Sequence, residues 1–282
     1  MIIVTGATGQ LGRLVIASLL KTTPAAHIVA AVRDVAKAAD LAAQGVQVRR
    51  ADYDDAASLD AAFVGATKVL LISSNELGQR VPQHRAVIDA AVRAKAGLFV
   101  YTSVLRADSS ELSLAPEHRE TEAAVRASGL TYSLLRNGWY IENYTGGLAG
   151  ALAHGALAGA AGEGRIAAAA RADYADAAAA VLSSKGPVEP VYELAGDTAF
   201  TLAELAAELS RQSGKQVPFH NLPQQEYQEM LVGVGLPAPL AELIADSDAA
   251  AAKGALDDDG HALSKLIGRP TITLADAVKA AL

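Results

Sequence analysis

The 282-residue chain contains no cysteine. That excludes disulfides, thiolate nucleophiles and Cys-ligated metals, and makes a cytoplasmic setting the expectation. No metal site is expected. The chain also lacks a dense Lys/Arg cluster and carries a net charge of −7. A surface that tracks phosphates needs clustered cations, so nucleic acid is not an expected partner. The acidic balance reads as solubility. No apolar run reaches the ~18 residues that would span a bilayer, so no membrane partner is expected. The Ala/Gly-rich stretch 146–170 is broken by His154, Glu163 and Arg165. No secretory leader is visible, because Met1-Ile2-Ile3-Val4 runs straight into a glycine-rich turn. The Ala-rich blocks show no clear repeat. What remains is a chain that is 51% apolar. Its length suits one large α/β domain, or one with a smaller lobe.

The first fourteen residues organise the rest. Met1 to Val4 is a short apolar run, Thr5-Gly6-Ala7-Thr8-Gly9-Gln10-Leu11-Gly12 follows, and Leu14-Val15-Ile16 with Leu19-Leu20 has helical spacing. This predicts strand, glycine turn, helix. The glycines at 6, 9 and 12 form a GxxGxxG variant of the dinucleotide fingerprint. Gly6 permits the tight turn, Gly9 lets a pyrophosphate approach the backbone, and Gly12 lets the helix pack close to the strand. The helix N-terminus offers N–H groups and partial positive charge to the phosphates.

Further strands are expected at 27–32, 46–49, 68–73, 98–103, 131–136 and 191–194. Helices are expected between them near 36–43, 55–63, 82–94 and 116–127. Alternation of this kind predicts an α/β fold: a doubly wound, parallel Rossmann sheet with a smaller, mainly helical C-terminal lobe. The dinucleotide-binding core is expected over 1–140, with strands from about 155–195 joining the sheet edge. Residues 200–282, with about 141–154, would form the smaller substrate lobe, mostly short helices after Val217. Asp173 reads as a helix cap before Tyr174, and Thr201 with Glu204 as a capping box.

Ligands in such sheets bind at the carboxyl ends of strands. Arg33, Asp52, Ser73, Ser74, Asn75, Thr102 and Ser103 therefore become candidates. The second strand ends Ala31-Val32-Arg33, with no acid before the arginine. An acid there selects NAD, whereas an arginine accommodates the 2′-phosphate of NADP through two parallel hydrogen bonds. Arg33 predicts NADPH, and the neighbouring Asp34 leaves room for NADH as well. Asp52 follows the third strand, where it would either accept from the adenine amino group or cap a turn.

A further absence concerns chemistry. Many carbonyl-reducing Rossmann enzymes pair a Tyr with a Lys four residues on, and the Lys lowers the pKa of the proton-donating Tyr. No Tyr here has such a Lys; Tyr132 has Arg136 at that spacing, but on a strand. Hydride addition to a simple ketone creates a strongly basic alkoxide. Addition to a quinone creates a phenolate, and phenols titrate near ~10 as Tyr does. A nicotinamide site without a strong acid therefore suits a quinone, or a protein that binds NADP and does no chemistry. His84 and His118 fall in predicted helices, where a satisfied imidazole is commoner than a catalytic one.

Several segments together resemble the NmrA-like, atypical short-chain dehydrogenase/reductase group. They are Thr5 to Gly12, Leu71-Ile72-Ser73-Ser74, Gln83-His84-Arg85, Leu135 to Tyr140, Arg171 to Tyr174, Tyr192 to Asp197 and Leu263 to Gly268. Within that group the chain is most similar to the bacterial type 2 NAD(P)H:quinone oxidoreductases. The resemblance implies an NADPH-dependent quinone reductase without flavin. It places cofactor contacts on Gly6, Ala7, Thr8, Gly9, Gln10 and Leu11, with Gly12 completing the turn, and on Arg33, Ser74, Asn75 and Glu76. It adds Asn137, Gly138, Trp139, Tyr140, Ile141, Glu142 and Arg171, none of which strand-end reasoning reaches. Asp34 stands where the group usually has Asn. Tyr140, Asn137 and Ser103 are the candidates for orienting a small-molecule quinone, with Tyr140 as hydrogen-bond donor to its oxygen. A homodimer is the candidate assembly. The rival from another class is an NADP(H)-binding redox sensor without turnover.

Overall fold

A computed structural model describes residues 1–76 and 78–282. In chain order the first elements are β1 (Ile2–Thr5), α1 (Gln10–Leu19), β2 (Ile28–Val32), α2 (Ala39–Ala43), β3 (Gln47–Arg50), α3 (Ala56–Ala62), β4 (Lys68–Leu71), α4 (Arg80–Arg93), β5 (Leu98–Val104), α5 (Ala115–Ala127) and β6 (Tyr132–Asn137). Then come α6 (Glu142–Thr145), α7 (Leu148–His154), β7 (Leu157–Gly159), α8 (Arg171–Ser183), β8 (Val191–Leu194), α9 (Leu202–Ser213), β9 (Phe219–Asn221), α10 (Gln224–Gly233), α11 (Ala238–Ala251), α12 (Ala262–Ile267) and α13 (Leu274–Ala281). Two compact units result. The first comprises 1–107, 116–137 and 171–193; the second comprises 108–115, 138–170 and 194–282. Among the described residues, no helix is long and apolar enough to cross a membrane.

The main sheet has the order β3-β2-β1-β4-β5-β6-β8. The pairs β1–β2, β1–β4, β2–β3, β4–β5 and β5–β6 are all parallel. This is the expected doubly wound arrangement, and it carries a physical signature. Every residue of β1, β2 and β5 is buried, as strands covered on both faces must be. Within the main sheet, only the edge strand β3 shows no buried residue. Ile3, Val29, Val69, Leu71, Phe99 and Tyr101 join Phe63, Val87 and Ile88 in one continuous core. The chain winds one way from β1 through β2 to β3, then crosses back to β4 on the other side of β1. The switch point thus lies at the carboxyl ends of β1 and β4, where such sheets form a crevice.

In the second unit, β7 and β9 pair in parallel as a separate two-stranded sheet. The strand within 155–164 therefore does not join the main sheet as the sequence reading expects; of that stretch to 195, only β8 does. Nor is the segment after Val217 made of short helices alone, since it supplies β9 and the 14-residue α11. Three-residue strands carry too little alternation to be read. Thr201 accepts from the Glu204 N–H at 3.1 Å while the Glu204 carboxylate accepts from the Thr201 N–H at 2.8 Å, so the expected capping box forms. Asp173 does not cap α8. The helix begins two residues earlier, at Arg171, and leaves Asp173 fully buried in its first turn.

Candidate active site

At the switch point of the first unit, a cleft of about 400 Å³ opens beside the β1–α1 turn, a volume in the range of small-ligand sites. Its wall includes Gly6, Gly9 and Gly12. Gly6 sits at φ +59°, a conformation that a side chain strains. A Cβ on Gly12 would lie 2.8 Å from the Ala7 Cα, so nothing larger fits. Gly9 caps α1 with no side chain of its own in the way, and the first turn of α1 holds no acid. The helix N-terminus is left open for an anion. Of the residues expected along this turn, Thr8, Gln10 and Leu11 also line the cleft, whereas Ala7 is buried beneath it.

The opposite bank is the segment after β4, and the structure shows why it holds its shape. Once the chain leaves the sheet, three successive N–H groups lose their ladder partners. The Ile72 N–H donates to Thr5 Oγ1 at 3.2 Å, Ser73 to Thr102 Oγ1 at 2.9 Å, and Ser74 to His84 Nε2 at 2.9 Å. The Ser74 bond leaves the His84 proton on Nδ1, 3.0 Å from Thr121 Oγ1. Burial, aided by nearby Arg80, pushes the His84 pKa down to about 3, so the ring is neutral and able to accept. Arg80 adds a 2.7 Å bond to the Ser74 carbonyl and an ion pair to Glu117. His84 and Thr102 are thus positioning residues. His118, also pushed down to about 3 by burial, shares a 2.6 Å bond with the Tyr101 hydroxyl.

Ser74, Asn75 and Glu76 line the cleft, as do Arg33 and Asp52. Arg33 donates to Glu76 Oε1 at 3.0 Å. Asp34, the neighbour expected to leave room for NADH, accepts from the Ala36 N–H at 3.0 Å and caps a short 3-10 turn. Asp52 accepts from the Asp54 N–H at 3.3 Å, and it is Asp55, not Asp52, that caps α3. Among the lining residues that escape the sequence reading are Lys37, four positions after Arg33, Tyr53 and Gln83. Lys37 carries no spacing signal, because Arg33 lies outside the short 3-10 turn that holds it.

Ser103 and Asn137 lie at the ends of β5 and β6 and behave differently. The Ser103 hydroxyl donates to Glu122 Oε1 at 2.6 Å, inside an ion network in which Arg136 grips both Glu122 oxygens at 2.9 and 2.6 Å. Its proton is committed there, which makes Ser103 part of the framework. The sequence reading has Ser103 orienting the substrate, whereas in the structure its hydroxyl proton is held by Glu122. Asn137 is 4% exposed and its side-chain oxygen has no hydrogen-bond partner among the described residues. A buried acceptor left unmatched is costly, and it marks where a ligand donor would be welcome. Arg171 opens α8 in the same unit. Neither Arg171 nor Asn137 lines the cleft. Gly138–Glu142 belong to the second unit. There the Ala169 carbonyl accepts from the Ile141 N–H at 2.9 Å, and the Trp139 carbonyl accepts from Ala169 at 3.0 Å, so a short bridge at Tyr140 holds the segment.

Residues 1–267 match the model of the NmrA-like family. Quinone oxidoreductase 2 of Escherichia coli (strain K12) is 59% identical over 278 residues, which cover 99% of this chain and 97% of that protein. The crystal structure of the NADPH-dependent quinone oxidoreductase from E. coli complexed with NADPH superposes with a TM-score of 0.97, at 58% identity and 99% coverage of both chains. The Citrobacter sp. triphenylmethane reductase complexed with NADP(H) gives a TM-score of 0.96 at 40% identity, covering all of both chains.

Proposed function

The chain belongs to the NmrA-like family, and on that premise we propose that it is an NADPH-dependent quinone reductase that works without flavin. The observation that carries the reading is the cleft itself. Three glycines bare a helix N-terminus with no acid in its first turn, and Arg33 stands in the same wall. Those residues fit a dinucleotide carrying a 2′-phosphate: the diphosphate meets backbone N–H groups, and the phosphate meets a guanidinium. The quinone rests on the full-length likeness to the E. coli enzyme.

When bound, the reduced nicotinamide supplies a hydride. This chain supplies binding, orientation and little else. The unmatched Asn137 oxygen is assigned to the carboxamide NH2 of the nicotinamide. Tyr140 is assigned the hydrogen bond to a quinone oxygen. The family likeness adds Gly138, Trp139, Ile141, Glu142 and Arg171 as further cofactor contacts. No Tyr/Lys acid pair is present. None is required, because the product phenols titrate near ~10 and take their proton from water at neutral pH. NADH is accepted as a weaker second cofactor.

The test is stopped-flow absorbance with pure, flavin-free protein, NADPH and a small benzoquinone. Loss of the nicotinamide band at ~340 nm only when the quinone is present is the expected outcome. NADPH binding with no turnover on any quinone would overturn the reading in favour of a redox sensor.

A further inference from the structure

The cleft holds an anion of its own at the place where an external one should bind. Arg33, the residue assigned to the 2′-phosphate, is already paired with Glu76 at 3.0 Å. Glu76 is not a loose surface acid. Its other carboxylate oxygen accepts from Gln83 Nε2 at 2.8 Å, and Gln83 Oε1 accepts in turn from Ser74 Oγ at 2.8 Å. The Glu76 N–H also donates to Ser74 Oγ at 3.2 Å. Gln83 is 4% exposed, and the next residue, His84, anchors the Ser74 backbone, so this scaffold is rigid. The hydrogen bond from Gln83, then the one from Arg33, hold the Glu76 carboxyl below its usual range and keep it ionised at neutral pH.

From this arrangement we infer that Glu76 is an internal competitor for Arg33, and that it sets how strongly the site prefers a 2′-phosphorylated adenosine to a plain one. The inference rests on the reading of Arg33 as phosphate ligand. Without ligand, the guanidinium spends one arm on Glu76. A 2′-phosphate must take that arm over, and the released carboxylate then faces the phosphate as a like charge. An adenosine with only a hydroxyl at that position leaves the pair intact and incurs no such penalty. The same ion pair therefore lowers affinity for one ligand class and spares the other. Asp34 differs from Glu76 in that its carboxylate accepts from the Ala36 N–H, whereas Glu76 is the acid that holds the Arg33 guanidinium. Both partners are well exposed, at 71% and 43% of their side-chain surface, so solvent screens the coupling and the effect is modest.

The experiment is calorimetric titration of adenosine 2′,5′-bisphosphate and of 5′-AMP into the wild type, Glu76→Gln, Arg33→Ala and the double variant. Glu76→Gln should tighten the bisphosphate about two- to fivefold and leave 5′-AMP unchanged. In the Arg33→Ala background, most of that gain should vanish. Weaker or unchanged bisphosphate binding in Glu76→Gln would overturn the proposal, as would an equal gain for 5′-AMP or a gain that survives loss of Arg33. If Arg33→Ala alone leaves bisphosphate affinity untouched, the assignment of Arg33 itself falls, and the proposal falls with it. If Arg33→Ala weakens the bisphosphate but Glu76→Gln does not tighten it, only the competitor role is lost.

Discussion

Two of the Arg–Glu pairs in the first unit have opposite characters. Arg136 and Glu122 are 6% and 0% exposed and meet through two hydrogen bonds, with Ser103, Arg126 and Glu193 completing the network. Arg33 and Glu76 are 71% and 43% exposed and meet through one. Desolvated charges cannot separate without leaving an uncompensated ion in a medium of low dielectric, so the first pair is framework. Water can replace either partner of the second, so that pair can be exchanged for a ligand. The same two residue types thus serve stability in one place and recognition in the other, and burial is what divides them.

The comparison breaks first at the buried pair. Arg136→Met should lower the unfolding free energy by about 3–5 kcal/mol, read from a chemical denaturation curve. A loss no larger than that of a surface substitution would erase the distinction drawn here.

A second effect comes from the buried histidines near the cleft. His84 and His118 are neutral in the folded chain, with pKa values pushed from 6.5 to about 3 by burial. Below pH 6.5 the unfolded chain binds protons that the folded chain refuses. Stability is therefore full above 6.5 and is lost as pH falls toward 3, by up to about 1.4 kcal/mol per pH unit for each ring. Asp248 works the other way. Burial raises its carboxyl to about 6, and its cost relaxes as pH falls through that value. One carboxyl with the smaller shift does not offset two imidazoles. The midpoint of thermal unfolding should thus drop between pH 6.5 and 4.5, and His84→Asn should flatten part of the slope.

The exposed pair answers to ligand and not to denaturant. Arg33→Ala should weaken NADPH binding about 10- to 100-fold, the worth of charge-assisted hydrogen bonds to a phosphate. NADH binding and the unfolding midpoint should stay within error. Equal losses for both nucleotides would move the 2′-phosphate elsewhere. The smallest effect belongs to Lys37. It lines the same cleft, and its ammonium has no partner among the described residues. Lys37→Met should weaken NADPH about two- to fivefold, measured by the same titration.

Much of this was legible in the amino-acid order, and the reasons are local. Glycines at 6, 9 and 12 mark a turn whose geometry strains a side chain at Gly6 and leaves no room for one at Gly12. Thr201 and Glu204 mark a helix start because the capping bonds span three residues. Arg33 closes a strand whose neighbours in sequence are its neighbours in space. The misses are equally physical. Asp173 looks like a cap only if the helix starts after it, and packing brings the start forward to Arg171. The β7–β9 pair joins residues about sixty positions apart over three residues each, too few for any periodicity.

Sequence alone therefore determined the sheet of alternating strands and helices, the open helix N-terminus and the cation beside it, because each is set by residues within one or two turns of each other. Tertiary structure alone decided that the Ser103 hydroxyl is spent on Glu122, that the Asn137 oxygen is left unmatched, and that Arg33 already holds Glu76. Those facts depend on which side chains, distant in the chain, the fold brings within hydrogen-bond reach and how much water it leaves around them, and neither is written in local order.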